Sequence, residues 1–82
     1  MSEHFIAKTD GEYEFNQLAS EITIFDRRGR VIWRHRQENE AAPIHWRGVD
    51  LVGAPVSIGS YLCKILYGHT RQEVCLPFVF VR

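Results

Sequence analysis

The side chains of this chain that could do chemistry are four histidines and two cysteines, and they are widely spaced. The histidines are His4, His35, His45 and His69. Zinc sites usually use closely paired ligands, such as C-x-x-C or H-x-x-x-H, and neither spacing occurs here. His35 and His45 on adjacent strands, joined by a cysteine, would be an alternative site. Histidines at the surface or half-buried are the simpler interpretation, so we predict no metal site.

Catalysis needs a nucleophile, a base and an orienting group within mutual reach, and no Ser-His-Asp or Cys-His arrangement follows from the spacing. A triad assembled only in three dimensions is the alternative. No glycine-rich phosphate loop leads into a helix, so nucleotide use is not expected. The sequence therefore predicts a protein that is not an enzyme and binds no cofactor and no small-molecule substrate.

The cysteines, Cys63 and Cys75, permit at most one intrachain disulfide. If Tyr61–Tyr67 and Glu73–Val81 form a hairpin around Gly68-His69-Thr70, the two thiols lie nearly opposite each other. A register shift of one residue would instead put them on different faces of the sheet. We prefer to interpret both as small apolar residues at sheet positions.

A cluster of arginines is the one feature that could bind an anionic partner, such as nucleic acid, a polysaccharide or an acidic protein face. Its candidate contact residues are Arg27, Arg28, Arg30, Arg34 and Arg36, with His35 among them. The alternative, which we prefer, is a solvated face neutralised by Glu38 and Glu40. The formal net charge of zero also argues against a dedicated nucleic-acid or membrane-surface binder.

The length of 82 residues predicts one small domain spanning residues 1–82. No apolar run reaches the roughly eighteen residues that a membrane span needs. Charged residues such as Glu3, Lys8 and Asp10 exclude the apolar core of a signal peptide near the start. We expect a protein that is not exported by a cleaved signal, or a mature or trimmed form.

Strand signals dominate the chain, and no segment has a sustained helical period. Strands are predicted at Phe5–Ala7, Tyr13–Phe15, Ser20–Phe25, Arg30–Arg36, Pro43–Arg47, Pro55–Ile58, Ser60–Tyr67 and Glu73–Val81. Alternation places Val31, Trp33 and His35 on one face of a half-buried strand with a basic outer face. Short strands separated by Gly and Pro turns predict an antiparallel β-sandwich of immunoglobulin or fibronectin type, with about seven strands and essentially no helix.

The segment Trp46–Tyr61 is punctuated by glycines, a proline and an aspartate, as in a rigid connection with defined turns. Asp26 and Asp50 can close Asx-type turns onto backbone amides two residues further on. Trp33 and Trp46 are large enough to fill the space between two sheets. We assign structural roles to Trp33, Trp46, Gly48, Asp50, Gly53, Gly59 and Tyr61.

Two runs carry a resemblance to a known family: E-I-T-I-F-D-R-R-G-R-V-I-W at Glu21–Trp33 and W-R-G-V-D-L-V-G-A-P-V-S-I-G-S-Y-L-C-K-I at Trp46–Ile65. Together they resemble the immunoglobulin-like domain that ends the flagellar hook-capping protein. They equally resemble the C-terminal sorting and gliding-motility-associated domains of secreted bacterial proteins. The resemblance covers roughly residues 10–82. Arg47 stands where the family usually has Asp, which leaves Asp50 as the only carboxylate of this loop and weakens any cation site.

The resemblance implies a fold more strongly than a function, because proteins with different jobs carry this module. It implies a non-enzymatic structural or assembly module of a bacterial surface, secreted or appendage-type assembly, acting through protein–protein contacts. One alternative is a C-terminal sorting or surface-anchoring domain of a larger exported protein. Another is a module that binds a polysaccharide or nucleic acid through the arginines. The family implies an extracellular or envelope location; a cytoplasmic one is the alternative.

The last strand, Cys75–Val81, is apolar on both faces, whereas an edge strand with one solvated face should alternate with polar residues. Pro77 lacks an N–H group and therefore indicates an edge strand or a bulge. Either the strand is covered on both sides within the sandwich, or one face meets another subunit. We predict subunit contacts here, with Phe78 and Phe80 as candidate contact residues.

Overall fold

The computed structural model describes residues 7–9, 11–37 and 42–81. Its seven strands are β1 (Ala7–Thr9), β2 (Glu12–Glu14), β3 (Glu21–Phe25), β4 (Val31–Arg36), β5 (His45–Trp46), β6 (Gly59–Tyr67) and β7 (Gln72–Phe80). They form a three-stranded sheet, in the order β1-β2-β5, and a four-stranded sheet, in the order β4-β3-β6-β7. All pairings are antiparallel, which confirms the predicted all-β sandwich. The described residues include no helix that could cross a membrane.

Aromatic side chains fill the space between the two sheets. Trp46 is buried at the centre, with the rings of Tyr13, Tyr61, Phe78 and Phe80 at centroid distances of 5.3–6.1 Å. Opposing this cluster, the central strand β3 contributes two isoleucines with no exposed surface, Ile22 and Ile24. The large ring of Trp46 extends from the short strand β5 across the gap between the sheets. The three-stranded sheet can therefore fill this space with few residues of its own.

A β-bulge between β3 and β4 changes the predicted faces of β4. Phe25 pairs with Val31 and Ile24 pairs with Trp33, so Ile32 is the extra residue. Ile32 and Trp33 both pack against the core, whereas Val31 lies opposite Phe25 on the other face. The prediction that Val31 shares a face with Trp33 was therefore wrong, because strict alternation fails across a bulge.

Two predicted strands differ from the observed ones. Pro55–Ile58 is not a strand, since Pro55 makes only an isolated bridge with Val49. Asp50 organises this loop, because its Oδ1 accepts hydrogen bonds from the amides of Val52 at 3.0 Å and Ala54 at 2.9 Å. Of the predicted strand Phe5–Ala7, only Ala7 is described; it belongs to β1, which continues to Thr9, and residues 5 and 6 lie outside the described part of the chain.

The two cysteines lie on opposite faces of the β6–β7 hairpin. Cys63 pairs with Leu76 and Cys75 pairs with Lys64, which is the register shift of one residue that separates the thiols. Both cysteines are free, Cys63 in the core and Cys75 exposed. Burial raises the pKa of the Cys63 thiol to about 12. The interpretation of both as small sheet residues, without a disulfide, is confirmed.

Candidate functional site

The histidines do not come together. His35 is exposed on β4, where its ring stacks on Trp33 at 5.9 Å, and His45 lies on β5 in the other sheet. The alternative site that placed these two histidines on adjacent strands is therefore wrong. His69 is exposed in the β6–β7 turn, and His4 lies outside the described residues. Within residues 7–9, 11–37 and 42–81, no group of three His, Cys, Asp or Glu side chains could hold a metal ion.

A charged cluster on the three-stranded sheet contains Arg47. Arg47 Nε donates to Glu12 Oε1 at 2.7 Å, and His45 Nδ1 lies 2.8 Å from Glu12 Oε2. The second ring nitrogen of His45 lies 3.3 Å from a Glu14 oxygen. Hydrogen bonds from His45 and then Arg47 hold the pKa of Glu12 below its ordinary value of 4.5. Arg47 thus ties the loop after β5 to β2.

The five arginines of the predicted contact face divide into two groups. On strand β4, Arg36 Nε donates to Glu21 at 2.9 Å, and Arg34 Nε lies 3.5 Å from the Thr23 hydroxyl. The remaining three lie in the turn between β3 and β4, where Arg30 pairs with Asp26 at 3.0 Å. The acids that neutralise the cluster include Glu21 and Asp26, while the predicted Glu38 and Glu40 lie outside the described residues.

Arg27 and Arg28 differ from the other three arginines. Both are exposed, and neither guanidinium has an ion-pair or hydrogen-bond partner in the described part of the chain. Asp26 is engaged elsewhere, because its Oδ1 accepts hydrogen bonds from the amides of Arg28 and Arg30 and its Oδ2 accepts one from Arg30 Nε. The backbone hydrogen bond from Arg30 is the largest cause that lowers the pKa of Asp26. At the tip of this turn, two guanidinium groups are therefore left without a partner among the described residues.

These cations border an open groove of about 430 Å³, between the β3–β4 turn and the segment that enters β6. We call it the arginine groove; it is lined by Arg27, Arg28, Arg30, Ser57, Ile58 and Ser60, with Asp26, Gly59 and Tyr61. Ile58 is 62% exposed and supplies apolar surface beside the guanidinium groups. Three arginines against one aspartate leave the lining with a net charge of +2.

The outward side of the four-stranded sheet carries the second surface, which we call the outer face. Cross-strand pairs place Phe25, Val31, Leu62 and Pro77 in one row across all four strands, and Val79 lies in the next position of β7 on that side. Leu62 is 37% exposed and Val79 is 60% exposed. Rows further along the sheet carry Arg34, Thr23, Lys64 and Cys75, and then Arg36, Glu21, Leu66 and Glu73, so the charged side chains lie towards that end. One end of the outer face is thus apolar and the other is charged.

Phe78 and Phe80, the predicted contact residues of the last strand, point into the core and away from the outer face. Phe80 is 1% exposed in the core, and Phe78 is half-buried against it. Neither is available to a partner in this structure, because the period of two puts their neighbours Pro77 and Val79 outside. The expectation of contacts through Phe78 and Phe80 is therefore corrected. Leu62 and Val79, the outward residues, were missed; their alternation with Cys63 and Phe80 was the signal that could have found them.

The residues with predicted structural roles surround the loop between β5 and β6. Trp46 Nε1 donates to the carbonyl of Val49 at 2.8 Å, and the Tyr61 hydroxyl donates to the carbonyl of Ser57. Gly48 adopts a φ of 76° with the Phe80 ring against its α-carbon, and Gly53 adopts a φ of 86°. Trp33 is half-buried, 6.3 Å from Trp46 between ring centroids. These groups hold the loop that presents Ser57 and Ile58 to the arginine groove.

Comparison with known proteins identifies a likeness of fold. No protein-family model matches the sequence, and no curated protein matches it. Among solved structures, the chain is similar to part of PorZ, an essential bacterial surface component of the type-IX secretion system of Porphyromonas gingivalis. The match has a TM-score of 0.72 at 15% sequence identity and covers 98% of this chain. It spans only 12% of PorZ, so the likeness concerns one domain of a much longer protein.

Proposed function

We propose that this β-sandwich is a non-enzymatic assembly module of a bacterial surface or secreted structure and acts through protein–protein contacts. The observation that carries the proposal is the apolar end of the outer face, where Leu62 and Val79 are exposed on ordered strands. Exposed apolar area on a regular sheet costs solubility unless a partner covers it. The proposed location is outside the cell or in the envelope.

The occupant that fits this face best is a second copy of the same chain. In a two-fold contact, one patch packs against an identical patch, so like charges would oppose each other, whereas an apolar row is complementary to itself. The row formed by Phe25, Val31, Leu62 and Pro77 contains no charge and crosses the whole sheet. The arginine groove, by contrast, would repel its own copy.

The dimensions of the face predict a weak contact. The four strands of this sheet have five to nine residues, so its face measures at most roughly 20 by 30 Å. A flat area of about 600 Å² is less than the roughly 800 Å² that each partner buries in a standard stable complex. We therefore expect association that depends on concentration. Light scattering should give a mass that rises from monomer towards dimer between about 10 µM and about 500 µM protein; a monomeric mass throughout would contradict self-association.

A second candidate function is a sorting or surface-anchoring domain of a larger exported protein. Its support is the fold likeness to a segment making up 12% of PorZ, itself a surface component of a secretion system. Fusion of this domain to the C-terminus of a reporter enzyme, expressed in a bacterium that has a type-IX system, separates the candidates. Surface display that is lost when the domain is deleted favours sorting. Retention of the reporter inside the cell favours the assembly module.

A further inference from the structure

We infer that the arginine groove is a binding site for an acidic segment of a partner protein, one that carries carboxylates next to an apolar side chain. The site is distinct from the apolar row of the outer face and uses other residues. Arg27 and Arg28 supply two guanidinium groups without a partner of their own in the described part of the chain. Guanidinium groups bind carboxylates through paired N–H donors in a fixed geometry.

The geometry of the turn keeps these cations ready for a ligand. Asp26 anchors the turn through three hydrogen bonds, to the amides of Arg28 and Arg30 and to the Arg30 side chain. Its carboxylate is therefore already engaged, and in the described part of the chain no hydrogen bond joins it to the guanidinium group of Arg27 or Arg28. A turn fixed in advance loses less conformational entropy when it binds than a mobile one does.

The apolar surface next to the cations favours a peptide over other anions. Ile58 lies in the groove wall, and Leu51 and Val52 line a second cleft of about 310 Å³ on the other side of Arg30. All three of these side chains are more than 60% exposed. A peptide that alternates acidic and apolar side chains can satisfy both kinds of surface at once, because the guanidinium groups take the carboxylates and the aliphatic side chains pack together.

Nucleic acid and polysaccharide fit the groove less well. Single-stranded nucleic acid binds through bases that stack on aromatic rings, and sugar rings use the same kind of platform through their C–H faces. The rings of the described phenylalanines, tyrosines and tryptophans are all buried or half-buried, and no histidine lines the groove. The net charge of zero also gives no long-range attraction for a polyanion.

The test is a fluorescence-anisotropy titration of a labelled peptide, Ac-LDDLDL, with Ac-LNNLNL as its neutral counterpart. It is run on the Val79→Glu protein, so that self-association through the outer face does not enter the result. We expect the acidic peptide to bind and the neutral one to bind at least tenfold more weakly. The double variant Arg27→Gln/Arg28→Gln should weaken binding roughly tenfold, and Arg27→Lys/Arg28→Lys should recover part of it.

A matched control removes the same charge elsewhere. Arg34→Gln/Arg71→Gln changes two exposed arginines that do not line the groove, and it should leave the affinity within about twofold. Equal weakening by both double variants, or equal binding of both peptides, would overturn the assignment. So would tighter binding of a heparin fragment or of oligothymidylate, since the site would then belong to a polyanion. Circular dichroism of each variant shows that it is folded.

Discussion

Gly48 lies directly against the ring of Phe80, so that a β-carbon at Gly48 would overlap the ring carbons. This contact joins the loop after β5 to the last residue of β7, and Gly48 also has a φ of 76°. Glycine is therefore required here for two reasons, the backbone conformation and the lack of space.

The Gly48→Ala variant should lose about 2–4 kcal/mol of unfolding free energy, because it combines a strained φ with overpacking against Phe80. Gly53→Ala is the matched control, since Gly53 also has a positive φ but its β-carbon would meet no atom within 4 Å. It should lose only about 1 kcal/mol. Urea unfolding measures both, and equal losses would show that the Phe80 contact is unimportant.

The hydroxyl group of Tyr13 ties the end of the last strand to the opposite sheet. It accepts the Val81 amide at 2.9 Å and lies 3.3 Å from the carbonyl oxygens of Val79 and Val81. Tyr13→Phe should cost about 1 kcal/mol. The more specific readout is amide hydrogen exchange, which should become faster at Val81 and stay unchanged at Ile24. An unchanged rate at Val81 would argue against the tie.

The thiols should react very differently. Cys63 is fully buried, and this burial raises its pKa from the ordinary value of 9.0 to about 12, so very little of it is present as the reactive thiolate. A thiol reagent should label Cys75 alone in the native protein and both cysteines in urea. Mild oxidation should give no intrachain disulfide, and a loss of two hydrogens in the monomer mass would contradict the hairpin register.

The cluster around Glu12 should make stability depend on acid pH. Because His45 and Arg47 lower the pKa of Glu12 in the folded protein, its contribution is present above the ordinary value of 4.5 and is lost as the pH falls through the lower, folded value. Glu12→Gln should therefore reduce the loss of stability below pH 4.5. Glu73→Gln, at an exposed carboxylate outside this cluster, is the control. Thermal melts across this range measure the difference.

The sequence was sufficient for the sandwich because strand alternation and turn residues are local signals. Asp26 and Asp50 close the predicted Asx turns, and Trp46 fills the core. Alternation separates the two faces of β7, but which of two apolar faces lies inside, like the faces of β4, depends on features beyond one strand. The bulge at Ile32 interrupts the alternation of β4, so that Val31 and Trp33 lie on opposite faces. Phe78 and Phe80 face inward because they pack in the aromatic cluster around Trp46.

The sequence predicted which arginines could form the candidate site, but not how the fold arranges them. The five arginines are one run in the sequence, but Arg34 and Arg36 extend from strand β4 while the other three belong to a turn. Only the fold brings Ile58, which is distant in sequence, next to that turn. Contacts between distant segments are set by sheet order and register, and neither is encoded in local spacing.

Sedimentation velocity of Val79→Glu beside Val52→Glu, at the protein concentrations at which the unaltered chain associates, tests the role of the outer face directly. Both substitutions place a carboxylate at an exposed valine, but Val79 lies beside the apolar row of the outer face and Val52 lies in the loop after Asp50. We expect Val79→Glu to remain monomeric and Val52→Glu to associate as the unaltered chain does. Undiminished association of Val79→Glu, or equal loss in both variants, would contradict the role of the outer face.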